Sequence, residues 1–171
     1  RFSGLARLAR KLLDRLGYRE VDVIGVSWGG ALAQQFARQY PQRCRRLILA
    51  ATSPGAVMVP AKPSILSKMV TPRRYLSPTY MQKAAAEIYG GEARRNPKVM
   101  SAHTSRIIAP QFMGYLYQLM AGIGWTSIHW LHRIRQPTLV MAGSEDPLVP
   151  PVNARIIALL IPNNRLFIVP G

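Results

Sequence analysis

Apolar residues follow two alternating spacings along this chain. Leucines at positions 5, 8, 12 and 16 recur at helical spacing and Gly17 stands in the usual C-cap position, which predicts a helix over 2–16. Short apolar runs at 21–26, 46–51, 136–143 and 164–169 predict four strands, the first of them buried. Helical patterns at 29–40 and 152–160 connect these strands in pairs. Strand, helix and strand in this order predict a right-handed parallel crossover, so the fold class is α/β.

The segment between the second and third strands has a different pattern. Prolines at 54, 60, 63, 72 and 78 break its first part, and helical patterns follow around 81–89, 97–108 and 111–132. We interpret 53–135 as a helical cap or lid inserted into an α/β core that comprises 1–52 and 136–171. Because the first residue is Arg1, not methionine, and a helix begins at once, we expect the chain to be cut at its start.

The chain is strongly basic, with 23 lysines and arginines against 7 acidic residues and a formal net charge of +16. Such a balance makes a nucleic acid or an anionic surface a hypothesis to consider. The arginines occur as scattered pairs, without an aromatic–basic motif or zinc-ligand spacing, so a solvated basic surface is favoured and no nucleic-acid partner is expected. One cysteine, Cys44, allows no internal disulfide, and no apolar run reaches the roughly 18 residues that a transmembrane segment needs.

The stretch VIGVSWGG, at 23–30, carries the strongest chemical signal. Its serine, Ser27, lies between Gly25 and Gly29, where a predicted strand passes into a predicted helix. A nucleophile elbow has this context, and it requires small residues two positions before and two positions after the serine. The backbone N–H of Trp28 would then point to where an oxyanion forms. A plain tight turn without a catalytic role is the alternative.

A second candidate, Asp146, follows the third strand in the loop GSEDP at 143–147, at the same sheet edge as Ser27. In a serine hydrolase of this architecture the acid follows the nucleophile in the chain and orients a histidine. Glu145 competes for this role. A turn-forming aspartate before proline is the non-catalytic alternative.

The base is missing from the expected place, because no histidine follows Asp146. His103, His129 and His132 all precede it in the predicted cap, where helix or cap-lining roles are favoured over that of a base. Three histidines without spaced carboxylates or thiols make no metal site, and no metal or cofactor is expected. A serine hydroxyl without a base is a poor nucleophile at neutral pH. We therefore expect the C-terminal end of the core to lie outside this chain and the 171 residues alone to be inactive.

Longer motifs extend over essentially the whole chain: GVSWGGALAQQFA, LILAATSPGAVMVPAKP, PRRY, IYGG, GWTSIHWLHRIRQPTLVMAGSEDPLVP and IPN. Together they resemble the intracellular medium-chain-length polyhydroxyalkanoate depolymerases of pseudomonads and their relatives. The resemblance implies a partial α/β-hydrolase fold with a helical lid, whose N-terminal strands we expect to lie outside this chain. It also implies a serine esterase that cleaves stored polyester on cytoplasmic granules. Ser27 and Asp146 match the family nucleophile and acid, and the family histidine lies in a Gly-His motif shortly after the last strand.

The same resemblance implies a hydrophobic polyester or a medium-chain ester as substrate and the polymer granule surface as a partner. The cap would then supply a wall for the acyl chain. Candidate wall residues are Met58, Tyr75, Trp125 and Trp130, with Met69, Tyr80, Tyr115 and Tyr117 in addition. Ordinary packing between cap and sheet stays open as the alternative for each of them.

The elbow residue separates this chain from the related polyhydroxyalkanoate synthases, which resemble the same fold but carry cysteine there to hold a thioester. Serine at position 27 favours hydrolysis over polymerisation. Two other functions stay open. One is a small-molecule carboxylesterase or lipase-like hydrolase, and the other is a non-catalytic binding protein on the same fold.

Overall fold

Four parallel strands form the sheet in the part of the chain that the computed structural model describes, which is 1–71, 73, 77–96 and 112–170. They are β1 (Val21–Val26), β2 (Cys44–Ala50), β3 (Thr138–Gly143) and β4 (Asn164–Val169), and they pair in the order β1-β2-β3-β4. The predicted α/β class is therefore confirmed. The predicted bounds of β1 and β4 are correct, whereas β2 begins two residues earlier and β3 two residues later than the apolar runs indicated.

Seven α-helices are described with these strands. They are α1 (Phe2–Arg15), α2 (Trp28–Gln39), α3 (Pro63–Val70), α4 (Pro78–Tyr89), α5 (Gly91–Arg95), α6 (Phe112–Gly122) and α7 (Val152–Leu160), and short 3-10 turns cover Pro41–Arg43 and Leu131–Arg133. The main core lies between the sheet and helices α2 and α7, where side chains such as Phe36, Leu47, Val140 and Ile157 are buried together. None of the described helices is long and apolar enough to cross a membrane.

Strand β1 is less buried than its apolar sequence predicted. Among the strands that the structure describes, it lies at one edge of the sheet and pairs with β2. Ile24 is 67% exposed and Val26 is 58% exposed, so the prediction of a buried strand was wrong for these two side chains. A run of β-branched residues predicts a strand, but it does not show whether another strand or helix covers that strand.

The segment between β2 and β3, which we call the insertion, carries helices α3 to α6. Its two ends run side by side, since Ala56 N–H donates to Trp125 O at 2.8 Å and Ser127 N–H donates to Pro54 O at 2.9 Å. The buried side chain of Gln34 on α2 holds both ends: it donates to Ser53 O at 3.1 Å and accepts from the Ser127 hydroxyl at 2.6 Å.

The predicted helix over 111–132 is too long. Helix α6 ends at Gly122, and Gly124 follows with φ of 68°, a left-handed conformation that glycine adopts without strain. The chain then turns, and Thr126 forms an isolated antiparallel β-bridge with Gly55. The predicted helix over 97–108 lies outside the described residues, and the boundaries of the cap at 53 and 135 stay a prediction.

Candidate active site

Ser27 stands on a strained turn between β1 and α2. Its φ is 52° and its ψ is −121°, a region that residues other than glycine rarely occupy and that costs about 1–3 kcal/mol. Three hydrogen bonds hold this backbone. Ser27 N–H donates to Ala50 O at 2.9 Å, while Ser27 O accepts from Gly30 N–H at 2.9 Å and from the Thr52 hydroxyl at 2.7 Å. The tip of β2 therefore fixes the serine from one side.

The glycines around Ser27 are not equivalent. A Cβ on Gly25 would lie 2.6 Å from Gly29 O and 2.6 Å from Ala33 Cβ, and a Cβ on Gly30 would lie 2.4 Å from the Thr52 side chain. A Cβ on Gly29 would meet nothing within 4 Å. The prediction that positions two before and two after the serine must both be small is correct for Gly25 and wrong for Gly29. Position 30 is the second crowded site.

Trp28 contributes its backbone and its side chain to different contacts. Its N–H opens helix α2 and donates to no described residue, as expected of the orphan donors in a first helical turn. That N–H is available for an oxyanion, and the helix dipole adds to its effect. The indole Nε1 donates instead to Gln118 O of helix α6 at 3.1 Å, so the insertion contacts the elbow at this residue.

An apolar pocket of about 430 Å³ includes Ser27 in its wall. Of the predicted wall residues, Met58, Met69 and Trp125 line it, and Trp130 and Tyr117 do not. Trp130 packs edge-on against Trp125 at 5.9 Å and lines a neighbouring cavity, so its placement in the acyl wall is corrected. Tyr75 and the side chain of Tyr115 lie outside the described residues, and Tyr80 is not in this wall.

Several residues of this pocket carry no signal in the sequence. Phe2 is 1% exposed and packs at a tilt against both Trp28 and Trp125, at 4.8 and 4.9 Å between ring centroids. Leu148 and Val149 reach the pocket from the loop after β3, and Leu66 reaches it from α3. Nothing in local spacing could reveal these contacts, because each of them joins distant parts of the chain.

Asp146 follows β3 and is held by its own loop. Its Oδ1 accepts hydrogen bonds from the N–H groups of Leu148 and Val149, both at 2.9 Å. Its Oδ2 accepts none from any described residue, which leaves that oxygen for a further donor. Burial raises the pKa of Asp146 above its ordinary value of 3.8, and the two backbone hydrogen bonds oppose this shift. Because Leu148 and Val149 also line the Ser27 pocket, the acid loop and the elbow meet at one sheet edge.

Asp146 lines a second cavity rather than the Ser27 pocket, and Glu145, the competing acid, lines that second cavity too. Its carboxylate approaches Arg95 Nη1 at 3.4 Å, next to helix α5. The turn before α5 also packs on this loop: Gly90 has φ of 63°, and a Cβ there would lie 2.3 Å from Glu145 O. Glu145 thus contacts the insertion, whereas Asp146 holds the loop that lines the Ser27 pocket.

The described histidines are not placed to serve Ser27. His129 is exposed and lines the neighbouring cavity behind Phe2 and Trp125, and His132 is exposed in the turn before β3. His103 lies outside the described residues. Within the described chain, no three histidine, cysteine, aspartate or glutamate side chains come together as a metal site.

Cys44 offers no alternative nucleophile. It is buried at the start of β2, and burial raises the pKa of its thiol to about 12. A thiol in that state stays protonated near neutral pH and is inert. Ser27 therefore stays the predicted nucleophile.

A strained serine between a strand and a helix, an acid after a later parallel strand, and a helical insertion between them define a class of protein. A family model for the alpha/beta hydrolase fold matches residues 1–171, and the chain belongs to this family.

Particular relatives sharpen this assignment. The chain is 57% identical over 169 residues to the poly(3-hydroxyalkanoate) depolymerase of Ectopseudomonas oleovorans, which confirms the resemblance drawn from the motifs. The aligned part is 99% of the chain and 60% of that relative, so the chain spans about three fifths of the depolymerase. It is also 28% identical over 158 residues to a pimeloyl-acyl-carrier-protein methyl ester esterase of Aromatoleum aromaticum, covering 84% of the chain and 62% of the esterase.

A solved hydrolase from Pseudomonas aeruginosa PA01 has the same fold. It superposes with a TM-score of 0.77 at 25% identity, over 99% of the chain and 64% of that structure.

Proposed function

We propose that this chain carries the nucleophile and the acid of a serine esterase that hydrolyses medium-chain-length polyhydroxyalkanoate. The observation that carries the proposal is Ser27, strained on the elbow and opening into an apolar pocket, in a chain 57% identical to a polyester depolymerase. The acyl chain lies in the pocket and Ser27 Oγ attacks the ester carbonyl. The tetrahedral oxyanion accepts a hydrogen bond from Trp28 N–H. The alcohol then leaves, and water hydrolyses the acyl-serine.

The proton from Ser27 needs a base, and we assign this role to neither His129 nor His132, since both lie outside the pocket. From the family resemblance, we expect the histidine after the strand that corresponds to β4. Asp146 Oδ2, which accepts no hydrogen bond from a described residue, would accept the N–H of that histidine and orient it. The 171 residues alone are therefore expected to hydrolyse no ester above the buffer rate, and measurable turnover of a 4-nitrophenyl octanoate solution would contradict this assignment.

The test of the activity uses a hybrid, defined as the E. oleovorans depolymerase in which this chain replaces the matching 60% of its length. We expect the hybrid to clear an emulsion of medium-chain polyester. Ser27→Ala should lose this activity, while Ser67→Ala, at an exposed serine of α3, should keep it. Equal clearance by Ser27→Ala would rule out the proposed nucleophile.

A small-molecule esterase is the second candidate, supported by the likeness to a methyl ester esterase and by a pocket of about 430 Å³, the size of one ligand. Such an enzyme would cleave soluble medium-chain esters and leave the emulsion intact. The same hybrid distinguishes the two functions, because both substrates can be measured with one preparation.

A further inference from the structure

Helix α6 has a composition unlike the rest of this basic chain. Its sequence, FMGYLYQLMAG, contains no charged residue, and every other helix that the structure describes contains at least one. The chain as a whole has 23 lysines and arginines. A helix of this composition would normally be buried.

Instead, α6 exposes its apolar side chains. Met113, Tyr117 and Met120 are 50%, 63% and 54% exposed, and their i, i+4, i+7 spacing places them on one face. Leu116 and Leu119 are also exposed, and Ile123 directly after the helix is 77% exposed. Apolar side chains left in water forgo the stabilisation that burial would give, so a contiguous face of this kind indicates an interaction surface. We call the face formed by Met113, Tyr117 and Met120 the α6 face.

This helix is connected to the mouth of the Ser27 pocket. Gly122, the last residue of α6, lines the pocket, as does Trp125 three residues later. The indole of Trp28, next to Ser27, donates to Gln118 O in the middle of the helix. On α3, Leu66 lines the same pocket and is itself exposed. A protein seated stably on α6 would therefore crowd the entrance that substrate must use.

Another exposed apolar row, on α1, has the opposite surroundings. Its leucines at 8, 12 and 16 alternate with exposed cations at 7, 11 and 15. Pressing that row onto an uncharged apolar surface would desolvate those cations, which is costly. Helix α6 has no such charges to desolvate. An uncharged and water-insoluble partner therefore fits α6 and does not fit α1.

We propose that the α6 face is the surface by which this protein adsorbs to solid polyester, with the alkyl side chains of the polymer as its partner. The proposal rests on the proposed function and adds the contact that brings the Ser27 pocket to an insoluble substrate. Adsorption of this kind depends on apolar burial, so it should change little as salt is raised.

Sedimentation of the chain with medium-chain poly(3-hydroxyalkanoate) particles tests this directly and requires no catalysis. We expect Tyr117→Glu and Met120→Glu each to weaken adsorption about tenfold, the loss of one buried apolar contact. Leu12→Glu on α1 and Leu159→Glu on α7 are matched controls at exposed leucines, with the same change in charge, and should bind within about twofold of the unmodified chain. Circular dichroism melting checks that each variant is folded.

Several results would overturn the proposal. The proposal fails if the unmodified chain does not adsorb, or if all four variants adsorb equally. It also fails if adsorption disappears in about 1 M salt, or if the chain self-associates and Tyr117→Glu abolishes that association. The Ser27→Ala chain should adsorb fully, which separates this inference from the proposed function. Adsorption without hydrolysis by the hybrid refutes the esterase alone, and hydrolysis of soluble esters without adsorption refutes the α6 face alone.

Discussion

The elbow and helix α6 lie next to each other, but the fold holds them very differently. Ser27 is fixed by three backbone-directed hydrogen bonds and by crowded contacts at Gly25 and Gly30. Within the described residues, one hydrogen bond, from Trp28, reaches α6 from the core. The proposed nucleophile is thus held by several hydrogen bonds, whereas the described part of the chain gives α6 one hydrogen bond to the elbow. Substitutions at the elbow should therefore act on chemistry and stability, and substitutions at α6 on substrate access.

The largest effect is expected at Asp146, the proposed acid. Asp146→Asn in the hybrid should lower kcat about 10⁴-fold, because an amide cannot orient and stabilise a histidine cation as a carboxylate does. Glu145→Gln is the matched control, since Glu145 faces Arg95, and it should stay within about tenfold of the unmodified hybrid. The opposite ranking would make Glu145 the acid.

The same substitution should affect the stability of the chain in a pH-dependent way. Burial raises the pKa of Asp146, so the folded chain binds the carboxyl proton more tightly than the unfolded chain does. The free energy of unfolding therefore falls as the pH rises from 3.8 through the folded pKa. Asp146→Asn should therefore raise the melting temperature at pH 7, and the gain should shrink below pH 3.8. A lower melting temperature at pH 7 would mean that the hydrogen bonds from Leu148 and Val149 outweigh desolvation.

The crowding of the elbow is tested by alanine at two of its glycines. Gly25→Ala should lose about 3 kcal/mol of unfolding free energy, because its Cβ would overlap backbone atoms of α2. Gly29→Ala should instead gain up to about 1 kcal/mol, since its site is open and alanine favours helix. Urea denaturation of the chain measures both. Equal losses would show that the elbow glycines are equivalent, as the motif alone suggests.

Thr52 should have a smaller effect that acts through Ser27. Thr52→Val keeps the shape but removes the hydroxyl bonded to Ser27 O, which should destabilise the chain by about 1 kcal/mol. In the hybrid, kcat should fall about fivefold with little change in KM, and Thr52→Ser should restore it. A loss that serine does not restore would indicate packing rather than positioning of the nucleophile.

Trp28→Phe should have the smallest effect. It keeps the backbone N–H and the aromatic contact with Phe2 but loses the hydrogen bond to Gln118, for about 0.5–1 kcal/mol. Hydrolysis of a soluble ester by the hybrid should hardly change, while polymer clearance falls more. If both rates fall together, the indole supports the elbow itself rather than α6.

Sequence predicted those parts whose signals are local. Short patterns of β-branched residues and glycine predicted strands β1 and β4 and the turn at Ser27. The bounds of both strands and the position of the turn are as predicted. The helix over 111–132 failed because an apolar run hides its end, although Gly122 and Gly124 mark it. Tertiary packing places Phe2 between two tryptophans and Gln34 against both ends of the insertion. Neither contact produces a periodic pattern in the sequence.

The central claim is that Ser27 is the nucleophile of this fold, and covalent labelling tests it most directly. The hybrid would be treated with an alkyl fluorophosphonate, digested and analysed by mass spectrometry. We predict one label, on the peptide that contains Ser27, and parallel loss of ester hydrolysis. Full hydrolytic activity with the Ser27 peptide unlabelled, or a label on another serine that accompanies inactivation, would contradict it.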